Sequence, residues 1–164
     1  MKPALRLALF EPDIPQNTAA VLRTCACLGV PAEIIEPCGF VFGGTHMRRA
    51  GMDYVERAEI TRHVDWQAFQ KSYPDSRRVL LTTKAASPFT GFQFQPGDIL
   101  ISGRESAGVP DHVHDACDAR LLIPMMADMR SLNMAVAAAM VMSEALRQLS
   151  AFPAPQAASE NIPE

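Results

Sequence analysis

The sequence predicts a single α/β domain whose parallel sheet is covered by helices on both faces. Short apolar runs alternate with helix-like stretches, the runs are bounded by glycine and proline, and polar loops follow them where an open parallel sheet places its ligands. The 164 residues, 48% of them apolar, are enough for one domain that buries most of the surface its unfolded chain exposes. Residues 1–150 are assigned to this domain. Residues 151–164, with three prolines and little that could enter a core, are assigned to a disordered tail.

The elements follow in chain order. Leu5 to Phe10 is a strand, and Asn17-Thr18 is expected to cap a helix to about Leu28, ended by Gly29 with Pro31 beyond it. Glu33 to Glu36 is a short strand, and Asp65 caps a helix through about Ser72. Val79 to Thr83 and Asp98 to Ser102 are buried apolar strands with turn residues around them. Leu121 to Ile123 is the last short strand, and Ser131-Leu132-Asn133 opens a final helix that is apolar on nearly every side to Met142. Such a helix must be covered all round, and in so small a domain it asks for a partner.

Composition excludes several classes. Cys25, Cys27, Cys38 and Cys117 form no C-x-x-C pair, so neither a zinc knuckle nor a disulfide framework fits, and buried free thiols in a reducing compartment are expected. Met1 to Arg6 leads directly into a strand without a signal-like apolar region, and no apolar run approaches the roughly 20 residues that span a bilayer. A soluble, cytoplasmic protein is expected. His112-x-His114 has no third ligand nearby, so surface histidines and no metal are expected. The net charge of −3 argues weakly against nucleic acid, yet basic residues cluster at Arg48-Arg49, Arg57, Arg62-His63 and Arg77-Arg78 while acidic ones gather between Asp98 and Asp118. Charge alone suits a basic face and ordinary solvated surface equally.

Three loops carry the chemistry: Glu11 to Asn17 leading to Arg23, Ser102 to Pro110, and Ile123 to Asn133. The last places the free N–H groups and positive dipole end of a helix beside methionine surface, a corner suited to a small ligand that is partly polar and partly apolar. The spacing Gly103-x-Glu105-x-x-Gly108 is that of a dinucleotide fingerprint without its middle glycine, and Glu105 would repel a pyrophosphate. No phosphate-binding P-loop occurs either. A glutamate in a glycine-rich turn suits hydroxyl, amino or guanidinium groups, or simply faces solvent.

Six segments in order resemble the SPOUT superfamily of RNA methyltransferases, and within it the small tRNA 2′-O-methyltransferases that act on the wobble nucleotide. They are Glu11-Pro12-x-Ile14-Pro15-x-Asn17-Thr18 with Arg23, Ile35-Glu36-Pro37-x-Gly39-Phe40, Arg48-Arg49-Ala50-Gly51-x-Asp53-Tyr54, Leu81-Thr82-Thr83-Lys84, Gly103-x-Glu105-x-x-Gly108-x-Pro110, and Ile123-Pro124-Met125-Met126 with Arg130-Ser131-x-Asn133. The resemblance runs from Leu5 to Leu149. It implies a parallel sheet whose C-terminal segment is threaded as a trefoil knot, an S-adenosylmethionine pocket in that knot, and a homodimer through the last helix. The implied reaction is 2′-O-methylation of a wobble cytidine or modified uridine in tRNA, with leucine-accepting tRNA as the expected substrate. Another RNA such as ribosomal RNA, or a module that binds RNA or senses the cofactor without turnover, stands as the alternative.

By the same resemblance, Leu81, Thr82, Gly103, Glu105, Gly108, Ile123, Met125, Ser131, Leu132 and Asn133 are the cofactor residues, with main chain at Ile123, Met125 and Leu132 reading the adenine edge. Glu105 either senses the cofactor's cationic half or anchors its loop. Arg23 and Asn17 are the catalytic positions, and Arg48 and Arg49 the RNA contacts. Because arginine stays protonated at any working pH, Arg23 is expected to orient ribose or phosphate and to stabilise developing oxyanion charge rather than act as a base. Two departures stand out. Relatives commonly have Tyr-Glu-Ala-Trp-Arg-Gln where this chain has Ser143-Glu144-Ala145-Leu146-Arg147-Gln148, and Pro-Glu-Thr-Arg-Gly where it has Arg104-Glu105-Ser106-Ala107-Gly108. The second leaves a substrate contact from that loop's arginine unassigned.

Overall fold

A computed structural model describes residues 2–50, 52–85 and 87–155, so most of the expected disordered tail lies outside the described residues. Seven strands form one sheet: β1 (Leu5–Phe10), β2 (Ala32–Ile35), β3 (Ile60–His63), β4 (Arg78–Leu81), β5 (Ser87–Pro88), β6 (Asp98–Ser102) and β7 (Ala119–Leu122). Their order is β3-β2-β1-β6-β4-β7-β5 and every pairing is parallel. The helices are α1 (Pro15–Leu28), α2 (Thr45–Arg49), α3 (Trp66–Ser72), α4 (Asp111–Asp115) and α5 (Met134–Gln148).

Alternation along the strands sends successive side chains to opposite faces, and helices cover both. Leu5, Leu7, Leu9, Val79, Leu100 and Leu121 pack with Val21, Leu22 and Cys25 of α1 and with Ala138, Val141, Met142, Ala145 and Leu146 of α5. On the other face, Ala8, Phe10, Leu80, Ile99 and Ile101 meet Trp66 and Phe69 of α3 and Val113 of α4. Near-continuous apolar strands such as β6 thus come from burial on both sides, with Asp98 buried at its start by a two-pronged ion pair to Arg77.

Several element boundaries differ from the sequence reading, for identifiable reasons. Asn17 does not cap α1: the helix begins at Pro15, whose ring presets φ and whose missing N–H needs no acceptor, and the cap position, Ile14, makes no side-chain bond. Gly29 ends it in the left-handed conformation, φ 65°, as expected. The strands at Glu33, Val79 and Leu121 each sit one or two residues earlier than read, because pairing with a neighbour defines the ends. β3 is absent from the sequence reading because an edge strand reading Ile-Thr-Arg-His, exposed at its middle, shows no apolar run. Asp65 does cap α3, accepting from Ala68 N at 2.7 Å. Of the four thiols only Cys25 and Cys117 are buried; Cys27 is exposed and Cys38 half-buried.

Candidate active site

The loops after β4, β6 and β7 converge at the carboxyl end of the sheet around a cavity of about 590 Å³, a size suited to a small-molecule ligand. All ten residues expected to hold a cofactor line it: Leu81, Thr82, Gly103, Glu105, Gly108, Ile123, Met125, Ser131, Leu132 and Asn133. Asn17 lines it too. Arg23, Arg48 and Arg49 do not. Lys84, Arg104 and His114 line it without having been singled out as site residues. His114, expected on the surface, is half-buried because α4 turns it inward, and its Nδ1 accepts from Arg120 Nε at 3.2 Å.

The glycine loop is closed on itself. Arg104 and Gly108 exchange both backbone hydrogen bonds, at 3.0 and 2.9 Å, which brings Gly103 against Gly108. A Cβ on Gly103 would lie 2.7 Å from the Gly108 carbonyl carbon, so glycine is required there by close approach. Gly108 needs glycine for another reason, its φ of 64°.

That loop is bolted to the one after β1. Asp13 N donates to Glu105 Oε2 at 3.0 Å, Glu105 N donates to Asp13 Oδ1 at 3.1 Å, and the Ser106 hydroxyl donates to Asp13 Oδ2. Arg104 forms an ion pair with Glu11 and lies over the Phe10 ring. It is thereby committed inside the chain, at a residue, Glu11, held at a positive φ of 43°. Bonding to Glu105 holds the Asp13 carboxyl below its ordinary value, while burial first, and Asp13 next, push the Glu105 carboxyl up. Glu105 Oε2 anchors the loop, and its Oε1 is buried with no hydrogen-bond partner among the described residues.

The third loop ends in Asn133, whose Oδ1 accepts from Ala135 N at 2.9 Å and Val136 N at 3.3 Å, capping α5. Its Nδ2 donates to Asn17 Oδ1 at 2.9 Å. Because Pro15 starts α1 without a side-chain cap, the Asn17 amide is free to make this bond, and the starts of α1 and α5 are joined across the rim of the cavity.

Arg23 lies on the exposed stripe of α1 shared with Gln16, Ala20 and Cys27, and its guanidinium stands 4.4 Å over the ring of Tyr54. Tyr54 belongs to a 3₁₀ turn, Met52–Arg57, that packs on α1, as does α2 with its exposed Arg48 and Arg49. Of the other basic positions, Arg62 pairs with Glu36, Arg77 with Asp98, and buried His63 with Glu33. Among the described residues no group of acidic, histidine or cysteine side chains is arranged to hold a metal, and no helix is long and apolar enough to cross a membrane.

Comparison with known proteins gives a consistent result. The profile of the SpoU rRNA Methylase family matches residues 4–143. A tRNA (cytidine(34)-2′-O)-methyltransferase of Beijerinckia indica is 57% identical over 148 residues, covering 89% of this chain and 92% of the relative. A solved structure described as giving insight into 2-OH methylation of C/U34 on tRNA superposes with a TM-score of 0.85 at 37% identity, covering 90% of this chain and 97% of the other. A SpoU methyltransferase of Streptomyces viridochromogenes, solved in complex with the cofactor AdoMet, shares the fold at a TM-score of 0.82 and 21% identity, covering 93% of this chain and 61% of that one.

Proposed function

The chain belongs to the SpoU rRNA methylase family, and from that premise we propose that it transfers a methyl group from S-adenosylmethionine to the ribose 2′-hydroxyl of the wobble nucleotide, a cytidine or modified uridine, in tRNA. It is a tRNA ribose methyltransferase, with leucine-accepting tRNA as the substrate of this reading. The observation that carries the reading is the cavity, which gathers every expected cofactor residue from three separate loops into one wall. Its chemistry suits the cofactor: Leu81, Leu121, Ile123, Leu132 and Met134 offer apolar surface to a purine and a thioether, and the partnerless Oε1 of Glu105 offers a carboxylate oxygen to a cationic group.

The bound cofactor supplies an activated methyl group on a sulfonium. The protein supplies position. Main chain at Ile123, Met125 and Leu132 reads the adenine edge, and the closed Gly103–Gly108 loop fixes the opposite wall. Asn133 and Asn17 tie that wall to α1. Arg23, outside the cavity lining, orients the ribose or its phosphate and stabilises the negative charge that develops on the hydroxyl oxygen as its proton passes to solvent water. Arg48 and Arg49, exposed on α2, extend a positive corner toward the RNA backbone.

Two further parts of the reading rest on the last third of the chain. The 123–133 loop, packed against the glycine loop around one cavity, suits a C-terminal trefoil knot. One face of α5 is buried, but Val136 and Met140 on its other face are 49% and 40% exposed, with Met129 and Leu132 open beside them. A second copy of the chain covers that surface in a cytoplasmic homodimer. The test is tritiated-methyl incorporation into total tRNA against ribosomal RNA, followed by mapping of the modified nucleotide. Methyl groups entering ribosomal RNA alone would overturn the substrate assignment. Arg23→Ala is expected to leave S-adenosylmethionine affinity nearly unchanged while lowering transfer by about a hundredfold, some 3 kcal/mol at the transition state; full turnover would remove Arg23 from the reaction.

A further inference from the structure

The segment Arg48-Arg49-Ala50-Gly51-x-Asp53-Tyr54 ends in a tyrosine to which the proposed reaction assigns nothing. Its ring lies against the Arg23 side chain: guanidinium carbon to ring centroid is 4.4 Å. Among the side chains that the structure describes, which do not include those of Met52, Asp53 and Val55, none forms a hydrogen bond or ion pair with Arg23. The choice of partner has chemical consequences. A carboxylate partner would occupy the N–H edges of the guanidinium and neutralise its charge. An aromatic face attracts the cation through the ring quadrupole while leaving the in-plane N–H edges for another acceptor.

Position matters as much as charge here. Arg23 is exposed and sits on a helix stripe of small or polar residues, Gln16, Ala20 and Cys27, none of which restricts a long side chain. An arginine unsupported in that setting samples many rotamers, and holding one of them when RNA arrives carries an entropic cost. The 3₁₀ turn Met52–Arg57 packs on α1 and delivers one rigid ring to that place.

We propose that Tyr54 is the positioning residue of Arg23: its ring face fixes the guanidinium so that the N–H edges remain available to the ribose or phosphate of the RNA. The inference rests on the proposed role of Arg23 and adds to it. Tyr54 does not line the cavity, and its ring face, not its hydroxyl, carries the effect.

The experiment measures single-turnover methyl transfer to tRNA, S-adenosylmethionine affinity and melting temperature for the full chain. Tyr54→Leu is expected to slow transfer about two- to fivefold, the rate equivalent of an exposed cation–π contact, with cofactor affinity unchanged and melting temperature little changed. Tyr54→Phe, which keeps the ring, restores most of that loss. Pentafluorophenylalanine at position 54 keeps the ring's shape but reverses its quadrupole, and is expected to behave like leucine even if leucine itself unsettles the turn. In an Arg23→Ala background, which is slow on its own account, Tyr54→Leu is expected to cost nothing further. Equal losses for Phe and Leu, full activity of the fluorinated ring, or additive losses in the double variant overturn the proposal while leaving Arg23 in place. Full turnover by Arg23→Ala alone overturns the role of Arg23, and the inference falls with it.

Discussion

Gly103→Ala is the most direct probe of the cavity wall. The added Cβ would stand 2.7 Å from the carbonyl carbon, 2.9 Å from the Cα and 3.0 Å from the oxygen of Gly108, all of them backbone atoms with no flexible side chain to give way. Relief requires the 103–108 loop to open, which strains the reciprocal Arg104–Gly108 hydrogen bonds at 3.0 and 2.9 Å. Overpacking of this kind costs about 1–3 kcal/mol. With about 2 kcal/mol charged to the closed loop, S-adenosylmethionine binding weakens about thirtyfold. Gly91→Ala is the control, since a Cβ there meets nothing within 4 Å. Isothermal titration with the cofactor measures both. Binding by Gly103→Ala within twofold of the native chain would refute the claim that this loop forms the ligand's wall.

Met140→Glu is expected to give monomer in sedimentation equilibrium, because it places a charge on the open face of α5, whereas Val141→Glu, at a fully buried position, is expected to unfold the chain; a dimer that survives Met140→Glu would mean another interface. The raised Glu105 carboxyl implies that the folded chain holds a proton the unfolded chain releases from about 4.5 upward, so this stability is present at acid pH and lost as pH rises through the raised value. The low Asp13 carboxyl acts in the opposite sense, losing stability only as pH falls below its ordinary 3.8. Melting of Glu105→Gln relative to the native chain is therefore expected to improve from pH 4.5 toward neutrality, and a constant difference would contradict the assignment. Asn133→Ala loses a cap worth about 1 kcal/mol and the bond to Asn17 together. Asn133→Asp keeps the cap oxygen but cannot donate to Asn17, so it should regain melting temperature and not turnover; regaining both would deny the Asn17 contact any role in the reaction.

Much of the fold is legible in the sequence because burial on both faces writes strands such as Asp98–Ser102 as unbroken apolar runs. The edge strand Ile60–His63 leaves no such mark, and its existence depends on pairing with β2 that no local pattern encodes. The cavity residues are legible because they cluster in three loops. What could not be read was how those loops meet: that Arg104 would turn inward to Glu11, that α4 would bring His114 to the cavity, and that Asn17 would bond Asn133 instead of capping its own helix. Each depends on contacts between residues far apart in the chain. The buried polar knot of Arg6, His63 and Tyr73 around Glu33 was equally invisible, since a glutamate in a strand gives no sign of the three partners that permit its burial.

The strand order imposes a schedule on synthesis. β6 lies between β1 and β4, so Leu5 has no partner on that side until Asp98 has left the ribosome. Until then the nascent chain can pair β1 with β2 and β2 with β3, but it must carry the other margin of β1 open. An apolar parallel strand with an unpaired margin is a template for wrong partners, including another nascent copy. The segment between Arg78 and Asp98 must also hold β4 back from the vacant place beside β1, although β4 is synthesised first and is as apolar as the strand that belongs there. A fold of this order therefore closes late and at its middle, with long-range pairing that is slow by its topology.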